Sequence, residues 1–142
     1  MSEIVTRSAI VTGGGKGIGR AVCLALAEQG VNVAVNYAGS QSAAEETAVL
    51  CREKGVQAMA VQADVAQADQ VEALFAKATE AFGRLDILVN NAGITRDNLI
   101  VRISEEDFDA VLSTNLKGAF LCCKKAARLM MRQRTGRIVN IS

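Results

Sequence analysis

Residues 12–19 read TGGGKGIG and stand between two different hydrophobic patterns. The short apolar run Ala9–Val11 precedes them, and apolar residues at helical spacing follow them, at Ile18, Val22, Ala25 and Leu26. This order predicts a strand that enters a glycine-rich turn, and a helix that begins where the turn ends. Such a turn presents backbone N–H groups at the positive end of a helix, where a phosphate can bind. The alternative is a flexible turn without a ligand.

Glycine spacing separates this turn from two common nucleotide loops. A Walker-type loop needs Ser or Thr directly after Gly-Lys, whereas Gly17 follows Lys16. The G-x-G-x-x-G fingerprint is also absent, because the glycines fall as Gly13-x-x-x-Gly17-x-Gly19. The turn by itself therefore predicts a nucleotide phosphate without specifying the nucleotide.

Length and charge limit the class of protein. The chain has 142 residues, half of them apolar, which suits one domain with a sizeable core rather than a disordered segment. Its 16 basic and 15 acidic residues give a net charge of +1, so we expect neither a nucleic-acid partner nor a membrane surface. Ser2-Glu3-Ile4 does not open a signal peptide, and no apolar run approaches the roughly 20 residues of a membrane span. We expect a cytoplasmic location.

Cysteine usage is consistent with that location. The four cysteines lack zinc spacing, and an adjacent pair is an improbable disulfide; they are Cys23, Cys51, Cys122 and Cys123. We expect buried thiols and no metal site.

Strand and helix patterns alternate along the whole chain. The predicted strands are Ser8–Val11, Asn32–Tyr37, Gln57–Gln62, Asp86–Asn90 and Arg137–Ile141. The predicted helices are Gly17–Gln29, Gln41–Lys54, Ala66–Phe82 and Ser104–Arg134, with capping boxes at Ser42/Glu45 and Ser104/Asp107. The alternation predicts an α/β fold, a doubly wound parallel sheet with helices on both faces. Ligands of such sheets bind beyond the carboxyl ends of the strands.

The second strand lacks the carboxylate that an NAD site would use on the ribose 2′-hydroxyl. Asn36-Tyr37-Ala38-Gly39-Ser40 stands there instead, and Lys16 lies in the nearby loop. A cation without a carboxylate favours a 2′-phosphate, hence NADP(H) over NAD(H), with Asn36 and Ser40 as possible donors. Lys16 could equally be a solvated loop lysine.

Polar residues also follow the third and fourth strands. Asp64-Val65 offers a carboxylate that can accept from an adenine amino group or cap the next helix. Asn90-Asn91-Ala92-Gly93 suits hydrogen bonding beside a ligand, or an ordinary Asn-rich turn. Asn115 interrupts an apolar helix face formed by Val111, Leu112 and Ala119, so it is either a satisfied structural amide or a polar group positioned for a site.

Taken together and in this order, these motifs resemble the classical short-chain dehydrogenase/reductases. Within that family, the segment NNAGITRDNL from Asn90 to Leu99 is similar to the 3-oxoacyl-[acyl-carrier-protein] reductases of bacterial fatty-acid synthesis. The resemblance implies a Rossmann-type fold that uses NADPH to reduce a 3-oxoacyl thioester, and a homo-tetramer with the long helix at a dimer interface. Acetoacetyl-CoA reduction, another short-chain reductase and a non-catalytic NADP(H)-binding fragment remain alternatives.

Position by position, the resemblance implies a set of cofactor-binding residues. The cofactor loop is matched by Thr12, Gly13, Gly15, Gly17, Ile18 and Gly19, with Lys16 at a usually basic position near the 2′-phosphate. Tyr37, together with Asn36 and Ser40, is a candidate cofactor contact at the end of the second strand. Asp64 and Val65 match adenine contacts, and the ribose side is matched by Asn91, Ala92 and Gly93. Asn115 matches the Asn of the family's Asn-Ser-Tyr-Lys catalytic set, where it helps to hold a water that connects the Lys to solvent.

The sequence departs from the family after the fifth strand. The family's Ser, Tyr and Lys would follow Ser142, and the only tyrosine, Tyr37, lies far from that position in the chain. We therefore expect residues 1–142 to form an NADP(H)-binding Rossmann domain that is truncated after the fifth strand and incomplete at its C-terminal end. Without the general acid, the chain alone should turn over negligibly, and its fifth strand should be an unpaired apolar edge.

Basic residues collect near the end of the long helix, at Arg128, Arg132, Arg134 and Arg137. Arg134 and Arg137 are candidate contacts for an acidic acyl carrier protein. Cations also favour a helix C-terminus without any partner. The face formed by Ala119, Cys122, Ala126 and Met130 suits either the core or a subunit interface.

Overall fold

The computed structural model describes residues 5–94 and 99–142 and places five strands in one parallel sheet. The strands are β1 (Ser8–Val11), β2 (Asn32–Tyr37), β3 (Ala58–Gln62), β4 (Ile87–Asn90) and β5 (Arg137–Asn140). Their order is β3-β2-β1-β4-β5, so the winding direction reverses between β1 and β4. The predicted doubly wound, Rossmann-type α/β fold is confirmed. Residues 2–4, and residues 95–98 of the segment that resembles the carrier-protein reductases, lie outside the described residues.

Helices cover both faces of the sheet, as predicted. They are α1 (Gly17–Glu28), α2 (Gln41–Arg52), α3 (Ala68–Phe82), α4 (Glu105–Leu112) and α5 (Gly118–Gln133). One core cluster joins α1 and α2 to the sheet through Cys23, Ala27, Ala44 and Ala48. The other joins α3 and α5 through Leu74, Phe75, Cys122 and Ala126. None of the helices in the described parts of the chain combines the length and apolarity that crossing a membrane requires.

Capping was predicted correctly at one helix and wrongly at another. The Ser104 Oγ accepts a hydrogen bond from Asp107 N at 3.0 Å and caps α4. The predicted cap Ser42 instead lies inside the first turn of α2, which begins at Gln41 with Ser40 as its N-cap residue. Ser40 makes no side-chain capping bond, so the first turn of α2 is not closed by a side chain.

The chain predicted as one long helix, Ser104–Arg134, is helical from Glu105 to Gln133, but it is not a regular α-helix throughout. A π-helical segment, Ser113–Lys117, separates α4 from α5, and its wider turn is closed by a bond from Gly118 N to Ser113 O. A Cβ on Gly118 would lie 2.6 Å from Val65 Cγ2, so α5 begins where it packs directly on the β3–α3 connection. The spacing of apolar residues does not reveal a single wide turn, because the 3.6-residue period resumes after it. A 3₁₀ turn at Ile100–Arg102 was not predicted either.

Small residues form the fully buried face of α1. The buried positions are Gly19, Cys23 and Ala27, whereas Ile18 is 62% exposed and Ala25 is exposed. The large side chains Val22 and Leu26 pack only at the margin of the core. The apolar spacing identified the helix correctly, but the residues that make up this spacing are not its fully buried ones.

The remaining packing predictions are partly confirmed. Cys122, Ala126 and Met130 belong to the core, while Ala119 is half-buried. Burial raises the pKa of the Cys23 thiol and of the Cys122 thiol to about 12. The four cysteines are free thiols, and Cys123 is only half-buried. β5 pairs only with β4 among the described strands and leaves Val139 48% exposed.

Candidate functional site

Thr12 joins the ends of two neighbouring strands. It follows β1 directly, and its Oγ1 accepts hydrogen bonds from the backbone N–H groups of Asn91 (3.0 Å) and Ala92 (2.9 Å) beyond β4. Its own N–H donates to Val89 O at 3.0 Å, and the residue is 2% exposed. Thr12 therefore fixes the glycine loop to the segment after β4, at the point where the strand order reverses.

Close backbone approach explains the two outer glycines of the loop. Gly13 adopts a φ of +63°, and its carbonyl accepts from the Asn91 side chain at 3.0 Å. A Cβ on Gly19 would lie 2.1 Å from Gly13 O, a separation that no rotamer change relieves. The first turn of α1 thus rests directly on the backbone of the loop.

The N-terminus of α1 is free to receive an anion. Lys16 occupies the N-cap position without a side-chain capping bond, and the first turn has no acidic residue. Lys16, Gly17 and Ile18 are exposed, and the space around a Cβ on Gly17 is open. Uncapped first-turn N–H groups at the positive end of a helix fit the phosphate of a nucleotide.

Asn36 does not have the predicted role of phosphate donor. Its side chain is buried, and its Nδ2 donates to Val61 O (3.3 Å) and Ala63 O (3.1 Å) at the end of β3. Its Oδ1 accepts from Gly13 N at 3.3 Å. The amide is fully occupied in joining β2, β3 and the loop, so Asn36 is a structural residue. Ser40, the other predicted donor, is exposed, and Tyr37 is half-buried.

Asp64 forms a turn rather than a helix cap. Its Oδ1 accepts from Ala66 N at 3.0 Å, whereas the N-cap residue of α3 is Gln67, so the capping alternative is wrong. Asp64 N donates to Gln70 Oε1 at 2.7 Å, which orients the turn. Within the described residues, the second carboxylate oxygen makes no hydrogen bond and remains available to a ligand.

Asn115 lies in the π-helical segment and is exposed rather than buried on an apolar face. Its Oδ1 accepts from Ile94 N at 2.8 Å, and its Nδ2 donates to Ile94 O at 3.0 Å. Both polar atoms of the side chain are therefore satisfied by the segment that follows β4. Wide π turns recur at functional sites, and this one directs a side-chain amide to the predicted ribose-binding segment.

A cavity of about 740 Å³ opens at this carboxyl edge of the sheet. Seven of the predicted site residues line it: Thr12, Ile18, Val65, Asn91, Ala92, Gly93 and Asn115. The others do not line it. Among the described lining residues, polar groups are amides, hydroxyls and the Cys123 thiol, with no carboxylate, amine or phenol. This lining can bind and orient a ligand, but its described side chains include no imidazole, carboxylic acid, amine or phenol to act as a general acid.

Sequence reasoning missed three polar residues around this edge. Asn140 ends β5, and its Oδ1 accepts from Asn90 Nδ2 at 2.8 Å, which ties β4 to β5. Arg20 and Thr47 lie behind the loop and contact the Gly15 carbonyl at 3.0 and 3.2 Å. The position of Arg20, directly after the last loop glycine, was a signal that the sequence did contain.

The two predicted carrier contacts lie at the opposite edge. Arg134 follows α5 and Arg137 begins β5, at the amino end of the sheet, and both are exposed. The residue of β5 that lines the cavity is Asn140, at the carboxyl end of the strand. It lies about 10 Å along the strand from Arg137. In the described part of the chain, no three His, Cys, Asp or Glu side chains meet as metal ligands would.

Comparison with known proteins gives this arrangement a context. The family described as short chain dehydrogenase matches residues 7–142. A 3-oxoacyl-[acyl-carrier-protein] reductase of Staphylococcus aureus is 54% identical over 138 residues, covering 97% of this chain and 56% of that protein. The Synechocystis protein of that name is 48% identical over 142 residues, covering 100% of this chain and 58% of its own length. The chain thus spans about half the length of the curated relatives it matches.

A solved structure supports the same assignment of the fold. A Sinorhizobium meliloti chain, described as a short-chain alcohol dehydrogenase, superposes with a TM-score of 0.90 and 39% sequence identity. The match covers 97% of this chain and 54% of that one.

Proposed function

The chain belongs to the short-chain dehydrogenase family, and from this membership we propose that residues 1–142 form the NADP(H)-binding part of a 3-oxoacyl thioester reductase. The observation that supports it best is the glycine loop. Its residues stand at the strand reversal, pack by backbone contact through Gly13 and Gly19, and leave the N-terminus of α1 uncapped. The pyrophosphate of a dinucleotide binds there.

The preference for NADPH is proposed from the residues around the ribose. No carboxylate follows β2, where a ribose 2′-hydroxyl would need one. Lys16 is exposed on the loop, and Ser40 is exposed at the start of α2. These two residues supply a cation and a hydroxyl donor for the 2′-phosphate.

The remaining contacts follow the two outer halves of the cofactor. The free carboxylate oxygen of Asp64 accepts from the adenine amino group, and Val65 closes that side of the cavity. Asn91, Ala92 and Gly93 meet the ribose on the nicotinamide side. Asn115 acts on this segment through Ile94 as a positioning residue. When bound, NADPH supplies the hydride, while the protein supplies orientation.

The substrate class comes from the relatives, whose names specify 3-oxoacyl-[acyl-carrier-protein] reduction. We assign this chain to the same reaction, with an acyl carrier protein as partner, a cytoplasmic location and a homo-tetramer as the assembly. Arg134 and Arg137 contact the carrier only if it docks at the amino edge of the sheet. Acetoacetyl-CoA reduction is the neighbouring activity that the same site would serve.

A lysine substitution tests the cofactor assignment. Lys16→Ala should weaken NADPH binding by about tenfold, because a charge-assisted contact to the 2′-phosphate is lost, and leave NADH binding within about twofold. Lys77→Ala, an exposed lysine of α3, is the matched control. Equal losses for both nucleotides would contradict the assignment. The 142-residue chain should also oxidise NADPH negligibly with acetoacetyl-CoA, since the described lining of its cavity has no imidazole, carboxylic acid, amine or phenol side chain as a general acid.

A further inference from the structure

Arg20 connects the glycine loop to α2 through one side chain. Its Nε donates to Gly15 O at 3.0 Å and lies 2.9 Å from Thr47 Oγ1. Its Nη2 donates to Ala43 O at 3.0 Å, and its Nη1 lies 3.4 Å from a Glu46 carboxylate oxygen. The guanidinium thus contacts the loop and two successive turns of α2.

The loop and α2 are also in direct backbone contact. A Cβ on Gly15 would lie 3.1 Å from Ala44 N, so only a glycine allows this approach without displacing α2. Thr47 is fully buried, and its Oγ1 lies 3.2 Å from Gly15 O. We call the four groups Arg20, Thr47, Gly15 O and Ala43 O the loop clamp.

The loop clamp joins the two elements that carry the residues assigned to the 2′-phosphate. Lys16 is bonded directly to Gly15, and Ser40 accepts a backbone bond from Ala44 N at 3.3 Å. One of these residues belongs to the loop and the other to α2, so their separation depends on how firmly the two elements are joined. NADH has no 2′-phosphate and does not need both residues at once.

We propose that Arg20 is a positioning residue that sets the preference for NADPH over NADH by fixing the loop against α2. The proposal rests on the proposed NADP(H) site and assigns it a determinant that does not touch the cofactor. An arginine suits this role because its N–H donors lie on separate nitrogens of a planar fork and reach Gly15 O and Ala43 O together, whereas the three donors of a lysine share one nitrogen.

Binding measurements on matched arginine variants test this role. Arg52, at the end of α2, also donates through its Nε to a carbonyl, Ala58 O at 2.9 Å, but stands away from the loop. In Arg20→Met, the NADPH dissociation constant should rise about tenfold more than the NADH constant, and Arg20→Lys should not restore the ratio. In Arg52→Met, the ratio of the two constants should stay within about twofold of wild type.

A second variant and a second readout distinguish a loss of positioning from misfolding. Thr47→Val replaces the buried hydroxyl with a methyl group of similar size and removes its contacts with Arg20 and Gly15, so it should shift the ratio in the same direction. Amide hydrogen exchange of the free protein should rise at residues 13–17 in Arg20→Met and remain unchanged there in Arg52→Met. If wild type binds NADPH but the ratio of the NADPH and NADH dissociation constants is unchanged in both Arg20→Met and Thr47→Val, the role of the loop clamp is contradicted. The proposed NADP(H) site is not affected by that result. A wild type that binds neither nucleotide overturns the proposed function and the clamp with it.

Discussion

Asn115 and Ile94 are joined by two hydrogen bonds that pair a side-chain amide with both polar groups of one backbone residue, at 2.8 and 3.0 Å. The pair connects the π-helical segment to the chain that follows β4. Gly93 lies in the same contact, since a Cβ there would be 3.1 Å from Asn115 Oδ1. The segment proposed to meet the ribose is therefore held in place by a residue outside it.

Replacement of Asn115 should increase the local motion of this segment but change the free energy of unfolding only slightly. Asn115→Leu removes both bonds, and because the residue is exposed, the free energy of unfolding should fall by no more than about 1 kcal/mol. The NADPH dissociation constant should rise several-fold, together with amide exchange at residues 91–94. Asn115→Asp keeps the acceptor for Ile94 N and should show the smaller effect on exchange. Unchanged exchange in both variants would contradict the positioning role.

The stability of the protein should depend on the side-chain oxygen of Thr12 more than on its methyl group. Thr12→Val leaves the backbone N–H groups of Asn91 and Ala92 without their acceptor, so the free energy of unfolding should fall by about 2 kcal/mol. Thr12→Ser retains the oxygen and should cost less than about 1 kcal/mol. Urea denaturation measures both. A serine variant as unstable as the valine variant would contradict the two-donor geometry.

Gly19 should be far more sensitive than Gly39 to an added methyl group. Gly19→Ala places a Cβ against Gly13 O and Asn91 Nδ2, and should destabilise the protein by roughly 2 kcal/mol or more. Gly39→Ala meets open space at an ordinary φ, and should change stability by less than about 0.5 kcal/mol. Thermal melts of the two variants compare them directly. Similar melting temperatures would show that α1 does not rest on the loop as described.

Stability should fall at alkaline pH because of the buried thiols. Burial raises the pKa of Cys23 and Cys122 from 9.0 to about 12, so the folded chain keeps protons that the unfolded chain loses. The thiols leave stability unaffected below about pH 9 and reduce it progressively as the pH rises toward about 12. Cys23→Ala should lower stability at about pH 8 but weaken its further decline toward about pH 10, as measured by urea denaturation. An identical decline in the variant would contradict this cause.

The sequence predicted those features that depend on periodicity and on chain order. The five strands and the parallel sheet follow from alternating apolar runs, and residues at successive strand ends necessarily meet at one edge. This is why Thr12, Val65 and Asn91, which are far apart in the chain, line one cavity as expected.

Features decided by tertiary contacts were not predictable in the same way. A π turn leaves the apolar spacing on either side unchanged, so the break at Ser113–Lys117 was not visible. The apolar spacing indicated the helix α1 but not its buried face, which is formed by the small residues Gly19, Cys23 and Ala27. Asn36 was predicted to contact a ligand. The sequence did not show that its amide bonds to a carbonyl at the end of β3, because this contact depends on how the neighbouring strand is placed.

An amide-resolved NMR titration of the 142-residue chain with NADPH tests the central claim most directly. We predict that the largest shift changes occur at residues 13–19, because the phosphates meet the N–H groups of the loop and of the first turn of α1. Smaller changes should follow at Asp64, Val65 and residues 91–93, and NADH should perturb the loop at higher concentration. Saturating NADPH that leaves residues 13–19 unperturbed would contradict the account.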